Sequence, residues 1–539
     1  MGAQLATAND QRRDPVIPEN SSFGKKAPKV AALLSQSSTA RVLLLGEDLN
    51  DWEGDFERYF RNLVHPRIAR DLEAALSERE PFQLILASLG GIAGASHDSM
   101  ALLQRLRNAV SRDGSLILLA ENRLALARLA RSGSHHPSDG KTTAGSCRRR
   151  LRRAGFERVE EYLPLPRLSG AEEFVNARYG DVVLPSDASA IETALNKIGL
   201  LPMFSEGWYN ICSRAEGGTA GLLAHIAAQL NASSGLRESV VIERFDLRER
   251  GALVLLLHTT LAGRRLVCRI TTDERSDQTV RRNAEWTERI HRSADISPEI
   301  KRCVPKPIAG FLFDHGTQYV EELIGGTIAW KLATRSQFEP VMLEGMFDFL
   351  REFNRQTAVQ VSIDETLFAR LSTSPHAISM DHETELLTNA LIQRLRRRTL
   401  GTVRQIVWSH GDFGYGNAIV DPRTGSLLGI IDWDQAREDL VGVDLLNFLF
   451  LRAQILGSAG LSEPFAGIAG RIADNGLPSV GTGSGYEAEF PAVAHQRLEL
   501  LGWVTLRVAQ RAATYPALLA RSREGIQSLL RWACDTLPA

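Results

Sequence analysis

Ile406-Val407-Trp408-Ser409-His410-Gly411-Asp412-Phe413-Gly414-Tyr415-Gly416-Asn417 runs on through Ala418-Ile419-Val420, the turn Asp421-Pro422-Arg423-Thr424-Gly425, and Leu428-Gly429-Ile430-Ile431 to Asp432-Trp433-Asp434. Ala418–Val420 and Leu427–Ile431 are apolar runs, and the residues between them include Pro and Gly where turns need them. The pattern predicts an antiparallel hairpin. Asn417 stands just before the first strand and Asp432 just after the second, so the hairpin brings them to the same end. Asp412 precedes Asn417 by one short loop and should face the same space. Glycines at 411, 414 and 416 let that loop bend tightly.

Carboxylates and an amide converging on one point are oxygen donors, and they suit a hard cation such as magnesium. A further Asp beside them suits a base for an attacking hydroxyl. Phosphoryl transfer needs metal ions on the phosphate oxygens, an in-line nucleophile, and positive charge on the developing anion. The segment provides the first two. An ordinary hairpin with buried polar caps is the competing explanation, but three acids and an amide are costly to bury without a task.

His410-Gly411-Asp412 with Asn417, followed by Ile431-Asp432-Trp433-Asp434, resembles the aminoglycoside phosphotransferase and choline kinase family in order and spacing. That family has the protein-kinase-like fold. The resemblance implies that Asp412 accepts or orients the substrate proton, that His410 braces the loop, and that Asn417 and Asp432 hold magnesium. It leaves Asp434 as a further metal candidate and reads Asp444 as structural support.

The resemblance continues more softly upstream. Arg269, in Arg265-Leu266-Val267-Cys268-Arg269-Ile270, stands where the family's strand Lys holds the phosphates of ATP, and Glu285 is its expected partner. Arg is not a drop-in for Lys, because its planar fork binds differently from a point charge. Val320-Glu321-Glu322-Leu323 before Gly325-Gly326 resembles the family's hinge, so the backbone at Glu322 and Leu323 is expected to take adenine. The loop Phe245–Gly251 should cover the phosphates, although it carries Asp246 and Glu249 and one glycine.

The front of the chain has a different grammar. Ala40–Gly46 and Phe82–Ala87 are short apolar runs that read as buried parallel strands. An amphipathic helix from Met100 to Val110, a turn at Arg112-Asp113-Gly114 and a strand Ser115–Ala120 follow. Strand, helix, strand argues for a Rossmann-like α/β sheet. Arg41 to Ser213 resembles a class I S-adenosylmethionine-dependent methyltransferase, chiefly in Leu103–Arg123, in Arg152-Arg153-Ala154-Gly155-Phe156 with Val159, and in Pro164-Leu165-Pro166. The cofactor loop of such enzymes is Gly-rich, whereas Gly46 is followed here by Glu47-Asp48-Leu49-Asn50-Asp51-Trp52. A degenerate domain is therefore expected, with no methyl-donor site residue assigned and S-adenosylmethionine not among the cofactors. His135 and His136 lie in a Ser- and Gly-rich stretch with no further ligand at metal spacing.

The bulk numbers bound the rest. The chain has 539 residues, 44% hydrophobic and 24% charged, which fits several soluble domains. With 63 basic and 64 acidic residues the net charge is −1, so no global field advertises nucleic acid or a membrane surface. The five cysteines, at 147, 212, 268, 303 and 534, show no metal spacing and fit a reducing, cytoplasmic compartment.

The expected layout is a disordered leader at 1–38, a methyltransferase-like Rossmann domain at 39–215, a linker at 216–235, a kinase-like small lobe at 236–326 and a helical lobe at 327–539. The fold class is α/β at the front and α+β, two-lobed and protein-kinase-like, at the back. The expected activity is transfer of phosphate from ATP, with magnesium, to a hydroxyl of a small molecule. Two alternatives stay open on the sequence: a non-catalytic scaffold, and an active methyltransferase with a regulatory kinase-like tail. Neither the acceptor nor the oligomeric state is legible.

Overall fold

The computed structural model describes residues 26–46 without 35, 37 and 38; 49–64; 69–88 without 79; 99–121; 143–165; 173–177; 207–214; 219–234; 239–246; 252–313; 316–333; 337–374; 380–456; 465–475; 486–514 without 487; and 516–537. Outside these fall residues 1–25, the acids at 47 and 48, His135 and His136, and residues 247–251 of the loop expected to cover the phosphates.

The front strands are β1 (Arg41–Leu45), β2 (Asn62–Val64), β3 (Phe82–Ser88), β4 (Val110–Glu121), β5 (Arg158–Leu165), β6 (Glu173–Asn176) and β7 (Gly207–Ser213). β1 pairs in parallel with β2 and β3, and β3 with β4. β7 lies antiparallel between β4 and β5. All residues of β1 are buried. Val42 and Leu44 enter one core and Leu43 and Leu45 another, as period-two alternation demands of a sheet covered on both faces. The turn expected at 112–114 sits inside β4, where the register jumps from Phe82↔Val110 to Leu84↔Ser115. The extra residues form a bulge in the strand.

The small lobe contributes β8 (Val240–Asp246), β9 (Leu253–Thr259), β10 (Arg265–Ile270), β11 (Pro307–Phe313) and β12 (Gly316–Glu322). These do not form a separate sheet. The order is β11-β12-β10-β9-β8-β6-β5-β7-β4-β3-β1-β2, one sheet of 12 strands. β6 is the join. It pairs antiparallel with β5 through Tyr162↔Asn176 to Leu165↔Glu173, and with β8 through Glu173↔Asp246 to Val175↔Arg244. Its Phe174 stacks on Phe245 at 4.7 Å and meets Tyr209 edge-on at 4.9 Å.

Two expected boundaries are corrected by this arrangement. The stretch 216–235, expected as a linker, holds a helix, Ala220–Ser234. Its Leu222, Ile226 and Leu230 recur every fourth residue, and their stripe is buried against the small-lobe strands. The leader's end is also ordered: helix Lys26–Leu33 buries Val30, Ala31 and Leu33. Both helices join one core with Trp52, Phe56, Leu253, Leu255, Leu266, Cys268 and Val320. Front domain and small lobe therefore share a hydrophobic core as well as a sheet.

The large lobe is mainly helical, built on Glu339–Thr357, His382–Thr399, Arg497–Thr514 and Pro516–Thr536. Its core runs from Met342 and Phe353 to Trp433, Trp503 and Leu530. Two small sheets sit on it: β13 (Thr327–Ile328), β16 (Ala418–Val420) and β17 (Leu427–Ile430) form one, and β14 (Val359–Ser362), β15 (Val403–Ser409) and β18 (Arg437–Leu440) the other. The predicted hairpin is present, with Ala418↔Ile430 and Ile419↔Gly429 in register. No helix among the described residues is long and apolar enough to cross a membrane. All five cysteines are free.

Candidate active site

β15 delivers the chain into the loop at Ser409. The loop is anchored from behind by Asp444, whose carboxylate accepts from the N–H of His410 at 2.6 Å and of Gly411 at 3.0 Å. Gly411 has φ +76°, and a Cβ there would lie 2.3 Å from the Gln435 carbonyl oxygen. Only glycine satisfies both demands. The buried His410 ring closes the loop against the hairpin. Its Nδ1 accepts from Asp412 N–H at 3.3 Å, which assigns the proton to Nε2 and makes that atom the donor to Ile431 O at 3.0 Å. Burial drives His410 down to about 4, so the ring is neutral at physiological pH.

Asn417 ties the two ends of the hairpin to the loop. Its Nδ2 donates to Asp412 O at 2.9 Å, and its own carbonyl accepts from Ile431 N–H at 2.9 Å. Asp432 follows directly with φ 68°, the one non-glycine residue with positive φ among the described residues. A left-handed L-residue costs about 1–2 kcal/mol, so its neighbours must hold it. On one side is the Ile431 bond. On the other, Trp433 N–H donates to Asn283 Oδ1 at 2.8 Å, and the fully buried Trp433 ring donates Nε1–H to Ile430 O at 3.0 Å. Asn417 and Asp432 thus flank the hairpin at its open end, with Asp412 bonded there through its carbonyl.

Electrostatics mark the same spot. Burial lifts the Asp412 carboxyl to about 6, against the pull of the Arg511 guanidinium. Burial and the neighbouring Asp432 charge lift Asp434 to about 7. Crowded, half-desolvated carboxylates of this kind are what a divalent cation relieves. Among the described residues no three His, Cys, Asp or Glu side chains form a ready-made metal cluster. The donor set Asn417, Asp432 and Asp434 fits a magnesium ion that takes its remaining ligands from phosphate oxygens and water.

The small lobe meets this site through Arg269. Its Nη1 lies 3.6 Å from Asp432 Oδ1, and its Nε donates to Glu321 Oε1 at 3.3 Å. Burial opposes the charged guanidinium, but Glu321 and Asp432 outweigh it and raise the pKa further. Glu285, the expected partner, is exposed on helix Glu274–Arg292 and does not meet Arg269. The reason is strand pairing: β10 and β12 align Arg269 with Tyr319, which puts Glu321 on the same face, one pleat along.

The hinge residues also differ from expectation. Glu322 spends its N–H on Lys306 O (2.9 Å) and Leu323 on Arg265 O (3.0 Å), while the Glu322 carboxylate pairs with Arg264.

Four contributors escaped the sequence reading. Glu321 is one. Asn283 is another: it bridges Trp433 N–H and, through Nδ2 at 3.3 Å, Glu321 Oε2. A polar residue on the stripe of Val280, Thr287 and Ile290 was the available signal. Arg282 donates to the carbonyls of Asp434 (2.9 Å) and Ala436 (2.6 Å), fastening the helix to the segment after the hairpin. Arg511, from helix Arg497–Thr514, pairs with Asp412 Oδ1. No motif marks it.

Comparison with known proteins agrees with this geometry over the back of the chain. Residues 249–474 match the phosphotransferase enzyme family. The matched span covers β9 to β12, the hairpin and Asp444, and begins after the front domain. Among solved structures, the chain is similar to the aminoglycoside phosphotransferase APH(3'')-Id of Streptomyces rimosus in complex with ADP and streptomycin. The identity is 16%, over 52% of this chain and 98% of that one, with a TM-score of 0.30. It is similar to a choline/ethanolamine kinase family protein of Mesorhizobium loti at 14% identity, over 58% of this chain and 99% of the other, with a TM-score of 0.30. WbdD, crystallised with a kinase inhibitor, is 10% identical over 90% of this chain and 87% of that one, with a TM-score of 0.26. At these TM-scores the likenesses carry no functional argument. No curated protein matches the chain.

Proposed function

We propose that residues 236–539 transfer the γ-phosphoryl group of ATP to a hydroxyl of a small molecule, and that the front domain carries no catalysis of its own. The observation that supports this best is that Asp412, Asn417 and Asp432 lie at one hairpin end, where Asn417 is bonded to Asp412 O and to the N–H of Ile431, the residue before Asp432. The match of residues 249–474 to a phosphotransferase family supports it independently.

Asp412 is the base. The acceptor oxygen attacks the γ-phosphorus, the bond to the β–γ bridging oxygen breaks, ADP departs, and the acceptor proton passes to Asp412. Its carboxyl, lifted to about 6, stays ionised at neutral pH yet is basic enough to take that proton. Asn417 and Asp432, with Asp434 beside them, would hold magnesium, which neutralises charge on the phosphate oxygens. Arg269 is positioned for the phosphates on the small-lobe side. His410, neutral and pinned at both nitrogens, fixes the loop and transfers no proton.

For the front domain, the shared sheet and core support a structural role: it covers the outer face of the small lobe.

The test is an ATP-consumption screen over pooled small alcohols with magnesium, run on the wild type and Asp412→Ala in parallel. Turnover should fall by about 10²–10⁴-fold in the variant. Equal consumption by both proteins would remove the assignment. Absence of a thermal shift with S-adenosylmethionine is the expected companion result for the front domain.

A further inference from the structure

The carboxylate of a base must touch the hydroxyl it deprotonates. Whatever already hydrogen-bonds that carboxylate stands in or beside the acceptor's place. Here that group is the Arg511 guanidinium, paired with Asp412 Oδ1. It arrives from helix Arg497–Thr514 of the large lobe, whereas the other cation of the site, Arg269, comes from the small lobe and is already committed to Glu321 and Asp432.

The two cations differ in how they are held. Arg269 is 19% exposed and bridges two acids. Arg511 is 35% exposed, and Asp412, itself 16% exposed, is the acid it pairs with among the described residues. The two neighbouring arginine systems on that lobe are saturated elsewhere. Arg507 is bidentate to Asp439 and stacks on Trp503, and Arg404 is bidentate to Glu499. An acceptor that hydrogen-bonds Asp412 therefore competes with Arg511 for it.

We infer that Arg511 is a specificity residue that selects acceptors bearing an anionic group, a carboxylate, sulfate or phosphate, within a few bonds of the reacting hydroxyl. This rests on the phosphotransferase reading above. When such an acceptor binds, its anion takes over the guanidinium and the hydroxyl takes over Asp412, so both charged partners stay paired. A neutral alcohol would free Asp412 but leave the Arg511 guanidinium without its acid. An amino alcohol would bring a second cation against Arg511 and suffer repulsion. The guanidinium suits the task, since its fork meets a carboxylate or phosphate with two parallel N–H donors. The acceptor's oxygen remains the nucleophile and Asp412 still receives its proton.

The experiment uses the full chain with ATP and magnesium and a set of alcohols matched in skeleton but not in charge. Glucose, glucuronate and glucosamine form one triplet; glycerol, glycerate and 3-amino-1,2-propanediol form another. Arg511→Gln and Arg511→Lys are compared with wild type, with unfolding midpoints checked to exclude gross misfolding. The acidic members should be the better acceptors for wild type. Arg511→Gln should raise their KM by about tenfold or more, with kcat less affected, and Arg511→Lys should recover part of that loss. The preference for acidic over neutral acceptors should therefore shrink in Arg511→Gln. Wild-type preference for the neutral or amino members overturns the inference. An equal fall in kcat on every acceptor, with KM unchanged, overturns it too, because Arg511 would then act on the transferring phosphoryl group. If no alcohol in the sets or in the wider screen consumes ATP, the phosphotransferase reading itself fails and this inference falls with it.

Discussion

The hairpin that carries Asn417 and Asp432 and the seam that joins β6 to β8 are built by opposite means. The hairpin is local. It consists of a turn, a pair of short strands, and polar residues stationed at their open end. Its key bonds, Asn417 to Asp412 O and Ile431 to Asn417 O, span 5 and 14 residues. The seam is long-range and apolar. Phe174 meets Phe245, and the core around it draws on residues from Val30 to Val320. Chemistry is concentrated in the first and mass in the second, and the two respond to different insults.

The sharpest way to break the comparison is to cut the chain at residue 236. The remaining part keeps the whole hairpin and every candidate catalytic residue. It loses the burial of small-lobe strands under Leu222, Ile226 and Leu230 and the pairing of β8 with β6. Each buried leucine or isoleucine contributes about 1.5–3 kcal/mol, against a total margin of about 5–15 kcal/mol. We expect the fragment to lack a cooperative unfolding transition by circular dichroism. A soluble, cooperatively folding fragment would show that the seam is ornamental.

Gly411→Ala probes the other region. The new methyl would sit 2.3 Å from Gln435 O at a backbone angle that L-residues resist. ATP turnover should drop by about 10²-fold or more, as displacement of catalytic groups by roughly 1 Å can do. The unfolding midpoint should move by only a few degrees, since the seam is untouched. A variant with full activity would mean that the loop has slack the structure does not show.

The smallest effect concerns Asp444. Burial raises its carboxyl from 3.8 to about 6, against the hydrogen bonds from Ser409, His410 and Gly411 that favour the charged form. A carboxyl raised in the folded state adds stability below its unfolded pKa, and that increment is lost as pH climbs through the folded value. The window is therefore about pH 4 to 6, and the contribution is at most about 3 kcal/mol. Asp444→Asn should be less stable at every pH, yet show a flatter dependence across that window in urea titrations. An unchanged slope would assign the pH response elsewhere.

The hairpin was legible because glycines, a Pro-containing turn and stranded acids are signals that sit next to one another in the chain. The parallel strands β1 and β3 were legible for the same reason, as continuous apolar runs. The partner of Arg269 was not. Glu285 and Glu321 are both near in sequence terms, and only the register of β10 on β12 decides between them. The seam was less legible still. β6 has four residues, too few for a period, and the helix at Ala220–Ser234 reveals its buried side only against β8 and β11, which follow it in the chain. Arg511 lies 99 residues beyond Asp412, and nothing in its neighbourhood announces a role. What tertiary pairing decides, local pattern does not report.

Glu321 belongs to a strand, and this has a bearing on control. A cation–acid pair shared between a strand and a mobile helix can be pulled apart by swinging the helix, which gives a protein a lever for turning itself off. Here both members are woven into adjoining strands and come together when the sheet does. Rotation of helix Glu274–Arg292 would disturb Asn283 and Arg282 but leave that pair intact. The Arg269–Glu321 pair therefore answers to the register of the sheet and not to the position of the helix.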